Sequence, residues 1–280
     1  FDVLFRTPGM YFLSVALNKA RAAGVSVVSE MEVFFDLCPC RVFAVTGSDG
    51  KTTTSTLISE FFKAEGKTVH LGGNIGRALL PQIEEIKPED ICVVELSSFQ
   101  LISMRQSPDV AVVTNVAPNH LDVHRDMQEY IDAKKNILLH QNGFSRTVLN
   151  FENTVTREEM APLVRGELCW FSKERPVENG SFLRGDGMLC RVRHGEAAPV
   201  VHRDEIRIPG MHNVDNFLTA VAAVGTEVRD ESIRKVAREF SGVEHRIEFV
   251  RELDGVRYYN DSIASSPTRT IAGLYSFEQK

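Results

Sequence analysis

Hydrophobic residues gather in short runs along the chain, and the runs alternate with segments of helical periodicity. The runs at 42–45, 91–96 and 110–114 are each long enough for one strand, and 91–96 (ICVVEL) is almost continuously apolar. Such a run is typical of a strand covered on both faces of a parallel sheet. Between 57 and 62, apolar side chains recur with the spacing of one helix face. This alternation predicts an α/β fold with a mostly parallel central sheet and right-handed crossovers.

The rest of the chain extends this pattern and then changes it. We predict further strands at 67–71 and 147–150, and helices at 79–86, 98–105, 128–141, 210–224 and 231–240. Residues 167–203 carry short strand-like runs between turns rich in Gly, Asn and Asp, which indicates a small antiparallel appendage. Two apolar segments, 247–253 and 256–259, flank an Asp-Gly turn and predict a hairpin, and a helical pattern follows at 267–277.

Breaks in the pattern divide the chain into three parts. Residues 1–40 carry the pattern of the closing βαβα of one α/β domain. Residues 41–242 form a central domain, and the pattern resets near 243, so that 243–280 begin a third domain. The chain opens at Phe1 inside an α/β unit and stops just after a helical pattern. We therefore expect it to be a piece of a longer protein.

Composition and charge argue against several classes of protein. The chain is 43% hydrophobic and 25% charged, as in ordinary globular proteins, and its net charge of −6 argues against a nucleic-acid partner. No apolar run approaches the length that spans a bilayer, so we expect no membrane partner. The five cysteines are odd in number and scattered, which favours a reduced, cytoplasmic chain. Cys38 and Cys40 form the one close pair, and a metal site there would need more ligands nearby.

The segment 41–62 (RVFAVTGSDGKTTTSTLISEFF) predicts a loop that binds a triphosphate. A short strand leads through a turn into a helix, and Gly47 and Gly50 allow the positive φ angles that turn main-chain N–H groups inward. The helix start adds partial positive charge, Lys51 can reach the outer phosphates, and the Thr52 hydroxyl can bind Mg²⁺. The general pattern G-x-x-x-x-G-K-[ST] has valine at its first position here. The simpler alternative is a glycine turn that only ends a strand.

Two more polar residues follow strand ends, where open parallel sheets bind ligands. Glu95 nearly closes the apolar run at 91–96, and a lone buried carboxylate is costly unless it is paired or bound to a metal. His120 lies six residues after the strand that ends at Thr114. Together with Thr52, these side chains give a ligand set for Mg²⁺. The histidine is unusual in this set, because Mg²⁺ prefers oxygen ligands. The alternative for His120 is a loop histidine held by hydrogen bonds.

The motifs, taken in order, resemble the Mur ligase family. The resemblance covers nearly the whole chain and is carried by the segments VTGSDGKTTT, GGNIG, ELSSFQL, NHLDVH, YIDAK, GMHNVDN, EHRIE and YNDSIASSPTRT. In that family a UDP-binding domain is followed by a central P-loop-type ATPase domain and a C-terminal Rossmann-like domain. The resemblance implies that 1–40 end the first domain, 41–242 make up the second, and 243–280 begin the third, so that partial Rossmann-like domains flank the ATPase.

The resemblance also implies the residues that bind ATP and metal. The implied ATP-binding residues are Gly47, Ser48, Asp49, Gly50, Lys51, Thr52, Thr53, Asn213, Asn216, Arg246 and Asp261. The implied ligands of two Mg²⁺ ions are Thr52, Glu95, His120 and Lys134. Catalysis would rest on Lys51, Glu95, His120 and Lys134. Lys134 matches a lysine that is carbamylated in this family, whereas without the resemblance it would be interpreted as a solvated helix lysine.

ELSSFQL and the NDS segment resemble the family member that adds D-glutamate to UDP-N-acetylmuramoyl-L-alanine. The implied reaction uses ATP, passes through an acyl phosphate and belongs to cytoplasmic peptidoglycan precursor synthesis by a monomer. The residues expected at the muramoyl-alanine and UDP end are Thr7, Gly9, Asn74, Ser97 and Gln100. The piece alone is expected to ligate poorly, because both flanking domains are incomplete.

Two alternatives remain open from the sequence. One is another amide-forming relative, such as a folylpolyglutamate synthase-like ligase, which would not be expected to carry ELSSFQL. The other is a nucleotide-binding module without catalysis. A single sequence feature favours this second alternative. It is Ile263, which stands where many relatives carry lysine.

Overall fold

The computed structural model describes residues 1–119, 123–264 and 267–277 of the chain. The chain begins with the predicted βαβα unit, which consists of β1 (Val3–Arg6), α1 (Val15–Ala22), β2 (Ser26–Ser29) and α2 (Glu30–Leu37). β1 and β2 pair in parallel in a two-stranded sheet of their own. α2 opens with a capping box, in which the Ser29 hydroxyl accepts from the Glu32 N–H and the Glu32 carboxylate accepts from the Ser29 N–H. The cap satisfies N–H groups at the passage from β2 into α2.

The central domain is built on one nine-stranded sheet. Its strands are β3 (Arg41–Thr46), β4 (Val69–Gly73), β5 (Ile91–Glu95), β6 (Val110–Val113), β7 (Arg146–Asn150), β8 (Glu167–Ser172), β9 (Gly180–Leu183), β10 (Met188–Arg193) and β11 (Glu196–His202). They lie in the order β11-β10-β9-β8-β7-β6-β3-β5-β4, and neighbours are parallel except at β10. The mostly parallel sheet predicted from the sequence is confirmed.

Helices cover both faces of this sheet. They are α3 (Lys51–Ala64), α4 (Ser98–Leu101), α5 (Met127–Leu139), α6 (Met211–Val224) and α7 (Asp230–Glu239). Successive side chains of a strand point to opposite faces. Phe43 and Val45 of β3 therefore pack with α3, α6 and α7, whereas Val42 and Ala44 pack in a second cluster with α2 and α5. Among the described residues, none of the helices has the length and apolar character that crossing a bilayer requires.

Two predicted helices are shorter or tighter than the sequence indicates. The segment 79–86 forms a single 3₁₀ stretch, Leu80–Glu85, and the segment 98–105 contains only the four-residue α4. Side chains from distant parts of the chain donate to two carbonyl groups of α4. Arg6 donates to the Phe99 carbonyl over 2.8 Å, and Asn136 donates to the Leu101 carbonyl over 3.0 Å. The Leu101 carbonyl also accepts from the Met104 N–H over 3.1 Å, so a tighter turn of the 3₁₀ type follows α4.

The predicted antiparallel appendage is the outer end of the same sheet. β9, β10 and β11 pair antiparallel, with a register shift between Leu189 and Cys190. The run LCWF, which the sequence groups with this region, lies in β8 and pairs in parallel with both β7 and β9. The sheet thus continues without a break from the parallel strands to the antiparallel ones.

The last part of the chain contains the predicted hairpin. β12 (Glu248–Leu253) and β13 (Val256–Asn260) pair antiparallel, and α8 (Pro267–Leu274) follows. The turn residues Asp254 and Gly255 have φ angles of 51° and 78°. Two positive φ angles match a type I′ turn, whose twist suits a two-residue hairpin. The predicted Asp-Gly hairpin is therefore confirmed.

The packing of α3 against α6 leads to a stability prediction. The Phe61 ring is fully buried, and its centroid lies 5.8 Å from that of Phe217. We expect Phe61→Ala to lower the free energy of unfolding by about 3–5 kcal/mol, because the side chain is lost from a closed core. The control is Phe144→Ala at a fully exposed ring, which should change it by no more than about 0.5 kcal/mol. Denaturant unfolding measures both, and equal losses would contradict the core assignment.

Candidate active site

The residues predicted at strand ends meet at one edge of the large sheet. β3 lies between β5 and β6, and the three strands are parallel, so their carboxyl ends open on the same side. The loop 47–50 follows β3, Glu95 ends β5, and Thr114 follows β6. The chain leaves β3 towards β4 and later crosses from β5 to β6 on the other side. This switch in direction is where open α/β sheets bind ligands.

The glycines of the loop are required by conformation and by space. Gly47 has φ 149° and Gly50 has φ 79°. A Cβ on Gly47 would lie 1.9 Å from the Thr114 hydroxyl oxygen, and one on Gly50 would lie 2.5 Å from the Asn216 side-chain oxygen. No side chain fits at either position without moving these neighbours. The loop is therefore pressed between the end of β6 and the start of α6.

Hydrogen bonds to the segment after β6 hold the loop in this shape. The N–H groups of Ser48 and Asp49 donate to the backbone oxygen of Asn115 over 2.9 Å and to its side-chain oxygen over 3.0 Å. The Ser48 hydroxyl lies 2.9 Å from the Tyr130 hydroxyl and donates to the Ala117 carbonyl over 2.8 Å. Both of these N–H groups of the loop therefore point to Asn115. The start of α3, at Lys51, adds the partial positive charge of a helix N-terminus beside the loop.

Two lysines converge on the carbonyl oxygen of Gly47. Lys51 Nζ donates to it over 2.9 Å, and also to the Ser48 carbonyl over 3.0 Å. Lys134 Nζ donates to the same Gly47 oxygen over 3.0 Å and to the Thr46 hydroxyl over 3.3 Å. Lys134 is 1% exposed. Burial, and next the neighbouring charge of Lys51, hold the pKa of Lys134 well below that of an ordinary lysine.

Thr52 and Arg246 bring two predicted parts of the site together. The Thr52 hydroxyl accepts a hydrogen bond of 3.0 Å from the Arg246 guanidinium. Thr52 is the second residue of α3, and Arg246 lies just before β12, beyond the predicted boundary at 243. A predicted metal ligand and a predicted phosphate contact are thus neighbours, although 194 positions separate them along the chain.

Glu95 is the residue that best fits a metal. It is 1% exposed, and one carboxylate oxygen accepts from the Asn74 side-chain amide over 2.8 Å. The other oxygen, Oε2, is buried without a hydrogen-bond partner among the described residues. A buried carboxylate oxygen left unpaired is costly, and a cation would satisfy it. His120, predicted as a companion ligand, lies outside the described residues.

A cavity of about 230 Å³ lies next to the loop 47–50, which we call the phosphate loop after its predicted ligand. Its wall includes most of the predicted nucleotide residues, namely Asp49, Gly50, Thr53, Asn213, Asn216, Arg246 and Asp261, together with Ile263. The Asn216 side-chain oxygen accepts from the Thr54 hydroxyl over 3.3 Å, and its amide donates to the Asn213 side-chain oxygen over 3.1 Å. The Asp261 carboxylate accepts from the Ile247 N–H over 3.2 Å. The predicted contacts from the second and third parts of the chain therefore share one pocket.

The same wall contains polar residues that the sequence analysis missed. Asn150 ends β7 as Glu95 ends β5, and Asn115 follows β6. Both could have been predicted, because open parallel sheets bind ligands at the carboxyl ends of their strands. His212 and Asp215 lie in the first turns of α6, and burial lowers the pKa of His212 and raises that of Asp215. Asp215 accepts from Lys173 over 2.7 Å. The sequence gives these two residues no signal beyond their place beside Asn213.

A second cavity, of about 190 Å³, lies between the amino-terminal part and the loop after β5. Its wall includes three of the five predicted substrate residues, Gly9, Asn74 and Ser97. Gln100 is buried and turned towards Ser97, whose N–H and hydroxyl both donate to the Gln100 side-chain oxygen over 2.9 Å. Gln100 therefore shapes the start of α4 here, and Thr7 does not line the cavity wall.

Arg6 and His124 in this second cavity were not predicted. Burial lowers the pKa of Arg6, whose guanidinium donates to the Met10 carbonyl over 3.1 Å and to the Ser103 hydroxyl over 3.2 Å. The His124 ring stacks on Phe99 at 5.1 Å. Asn74 belongs to this wall and also donates to Glu95, so the two sites touch at that residue.

Comparison with known proteins identifies the family. Residues 45–224 match the family described as the Mur ligase middle domain. The chain is 56% identical over its 280 residues to the UDP-N-acetylmuramoylalanine–D-glutamate ligase of Acetivibrio thermocellus. It is 51% identical over 280 residues to the ligase of the same name from Clostridium acetobutylicum. In each case all of this chain is covered, but it spans only 60% of the relative's length.

Solved structures agree on the fold. MurF from Acinetobacter baumannii superposes with a TM-score of 0.69 at 18% identity, covering 100% of this chain and 68% of that one. The UDP-N-acetylmuramate–alanine ligase MurC of Thermotoga maritima superposes with a TM-score of 0.65 at 20% identity, covering 98% of this chain and 63% of that one. With its strand-end site and its family match over most of the central domain, the chain belongs to the Mur ligase family.

Proposed function

We propose that the protein to which this chain belongs is an ATP-dependent ligase that joins D-glutamate to UDP-N-acetylmuramoyl-L-alanine. The observation that carries the proposal is the position of Asn74, which donates to Glu95 beside the phosphate loop and also lines the second cavity. A nucleotide in one cavity and a carboxylate substrate in the other would meet at this residue. The curated relatives at 51% and 56% identity, both named for D-glutamate ligation, support the choice of amino acid.

The two cavities suit a reaction in which a carboxylate must first be activated. A carboxylate oxygen of the L-alanyl end attacks the γ-phosphorus of ATP, and ADP leaves. The amine of D-glutamate then attacks the carbonyl carbon of the acyl phosphate, phosphate departs with the bridging oxygen, and the amine loses a proton. Lys51 and the start of α3 neutralise charge on the transferring oxygens. Holding the reactants together contributes up to about 7–11 kcal/mol to lowering the barrier.

We assign metal binding to Thr52, Glu95, His120 and Lys134. The unpaired buried oxygen of Glu95 supports this assignment. Mg²⁺, when bound, supplies positive charge against the β- and γ-phosphate oxygens. Lys134 would join the set as a carbamate, and its lowered pKa favours the neutral amine that reacts with CO₂.

The remaining site residues divide between the two cavities. Asn213, Asn216, Arg246 and Asp261 would hold the nucleotide, with the loop from Gly47 to Thr53 around its phosphates. Thr7, Gly9, Ser97 and Gln100 would lie at the UDP and muramoyl end with Asn74. We place the reaction in the cytoplasm, where ATP is available, and propose that the protein acts as a monomer.

The test of the function is an assay of the protein that contains this chain. With UDP-N-acetylmuramoyl-L-alanine, ATP and Mg²⁺, we expect ADP release to depend on D-glutamate and to stay at background with L-glutamate. Preference for L-glutamate would favour another amide-forming ligase. Nucleotide binding without ADP release, with either amino acid, would favour a binding module.

Lys51 offers a test of the phosphate loop. We expect Lys51→Ala to weaken ATP–Mg²⁺ binding by about 10- to 150-fold, since a hydrogen bond to a charged group contributes about 1.5–3 kcal/mol. The matched control is Lys63→Ala, at the far end of the same helix, where the side chain pairs with exposed Glu60. Calorimetric titration measures the affinity, and circular dichroism checks the fold. A folded Lys51→Ala protein that binds ATP as tightly as the control would refute the loop assignment.

Lys134 offers a test of carbamylation. In bicarbonate buffer, mass spectrometry without acidification should find one CO₂ unit on Lys134. The modified fraction should rise with pH as the amine loses its proton, and it should do so at lower pH than for an exposed lysine, because burial lowers this pKa. Lys134→Gln should reduce kcat by about 100-fold or more. Lys135→Gln is the control, because Lys135 instead pairs with Asp132 and Glu159. Equal activity of the two variants would exclude the role.

A further inference from the structure

Three cysteine thiols meet at the edge of the sheet opposite to the phosphate loop. Cys38 follows α2, Cys40 precedes β3, and Cys92 is the second residue of β5. The Sγ atoms of Cys38 and Cys40 are 3.7 Å apart, those of Cys38 and Cys92 are 3.7 Å apart, and those of Cys40 and Cys92 are 3.4 Å apart. The sequence shows only the first two as a pair, because Cys92 comes near them only through β3–β5 pairing.

The spacing of the three sulfurs is that of a tetrahedral thiolate site. Sulfur ligands of Zn²⁺ lie about 2.3 Å from the ion, and a tetrahedral angle then separates them by about 3.8 Å. The sulfur separations here are 3.4–3.7 Å, so an ion can be bound with shifts of a few tenths of an ångström. No other group of three or more His, Cys, Asp or Glu side chains in the described part of the chain is close enough to hold a metal.

The backbone around the cluster is fixed before any ion binds. Cys92 pairs in register with Val42 of β3 on one side and with His70 of β4 on the other. Cys40 and Cys92 are buried, while Cys38 is only partly covered. Cys40 also lines an open cleft with Pro39. An ion can therefore enter from solvent and find two of its ligands already placed by the sheet.

A histidine–carboxylate pair adjoins the cluster. His70 is the register partner of Cys92, and its Nε2 lies 2.9 Å from the Asp90 carboxylate. A carboxylate only accepts, so Nε2 is the donor and a neutral His70 carries its lone pair on Nδ1. Carboxylate-bound histidines of this kind are frequent zinc ligands. While His70 keeps this contact it lies beside the three sulfurs and not among them, so the fourth position of a tetrahedral ion is left to water.

We propose that Cys38, Cys40 and Cys92 bind one Zn²⁺ ion as thiolates, forming a structural site that fastens the end of α2 to the central sheet. Binding converts three thiols and Zn²⁺ into a zinc tris-thiolate and releases three protons, with no change of oxidation state. The site is independent of the ligase reaction and lies away from the residues assigned to ATP and Mg²⁺. Its effect is to hold the segment 1–37 at a fixed position against β3 and β5.

The test is metal binding by the fully reduced protein without nucleotide or Mg²⁺. We expect one Zn²⁺ per chain, and with Co²⁺ as probe, thiolate-to-cobalt charge-transfer absorption and the intense visible bands of a tetrahedral ion. Cys38→Ser and Cys92→Ser should each weaken Zn²⁺ binding by at least about 100-fold. Cys190→Ala is the control, because this buried cysteine packs in a separate cluster and should leave the affinity unchanged.

A second measurement does not depend on how well the variants fold. Zn²⁺ should raise the Tm of the wild-type protein, and a chelator should reverse the rise. Zn²⁺ should also protect partly exposed Cys38 from alkylation. Absence of the charge-transfer band in the reduced wild-type protein would overturn the proposal. So would a band that survives in folded Cys38→Ser, or a disulfide among these three cysteines in the protein as isolated.

Discussion

The site is organised by two lysine ammonium groups that share one carbonyl oxygen. Lys51 and Lys134 both donate to Gly47, over 2.9 and 3.0 Å, so their nitrogens lie within about 6 Å of one another. At that distance two unit charges repel by about 3 kcal/mol at an effective dielectric constant of about 20. Lys134 is also 1% exposed, and its burial together with the neighbouring charge of Lys51 lowers its pKa. A single backbone oxygen thus brings the lysine of the loop next to a buried lysine whose pKa is lowered.

That arrangement depends on a loop with no room for side chains. The Gly47 carbonyl can face both lysines because its Cα lies against Thr114, where a Cβ would come within 1.9 Å of the hydroxyl oxygen. Asn115 then takes the next two N–H groups of the loop. These two peptide N–H groups therefore define the shape of the loop, and the start of α3 adds partial positive charge beside it.

Site residues at the ends of strands could be predicted from the sequence. Local structure that involves side chains from distant parts of the chain could not. Glu95 and the loop at 47–50 were predictable because parallel strands bring their carboxyl ends to one edge. The same rule, applied to the end of β7, would have found Asn150. The contacts of the short helix α4 were not predictable, since the Arg6 guanidinium donates to its Phe99 carbonyl from 93 positions away. Such a contact leaves no periodic trace in either segment.

The cysteine cluster and the phosphate loop occupy opposite ends of the same two strands. β3 begins after Cys40 and ends before Gly47, and β5 carries Cys92 near its start and Glu95 at its end. Five register pairs tie β3 to β5 along this length. A constraint at the amino ends of β3 and β5 therefore acts on the two strands that position the phosphate loop and the Glu95 carboxylate. It does so without contacting either of them. Because the chain passes from α2 to β3 at the cluster, a tie there would also bear on the part of the chain that supplies Arg6 and Gly9 to the second cavity.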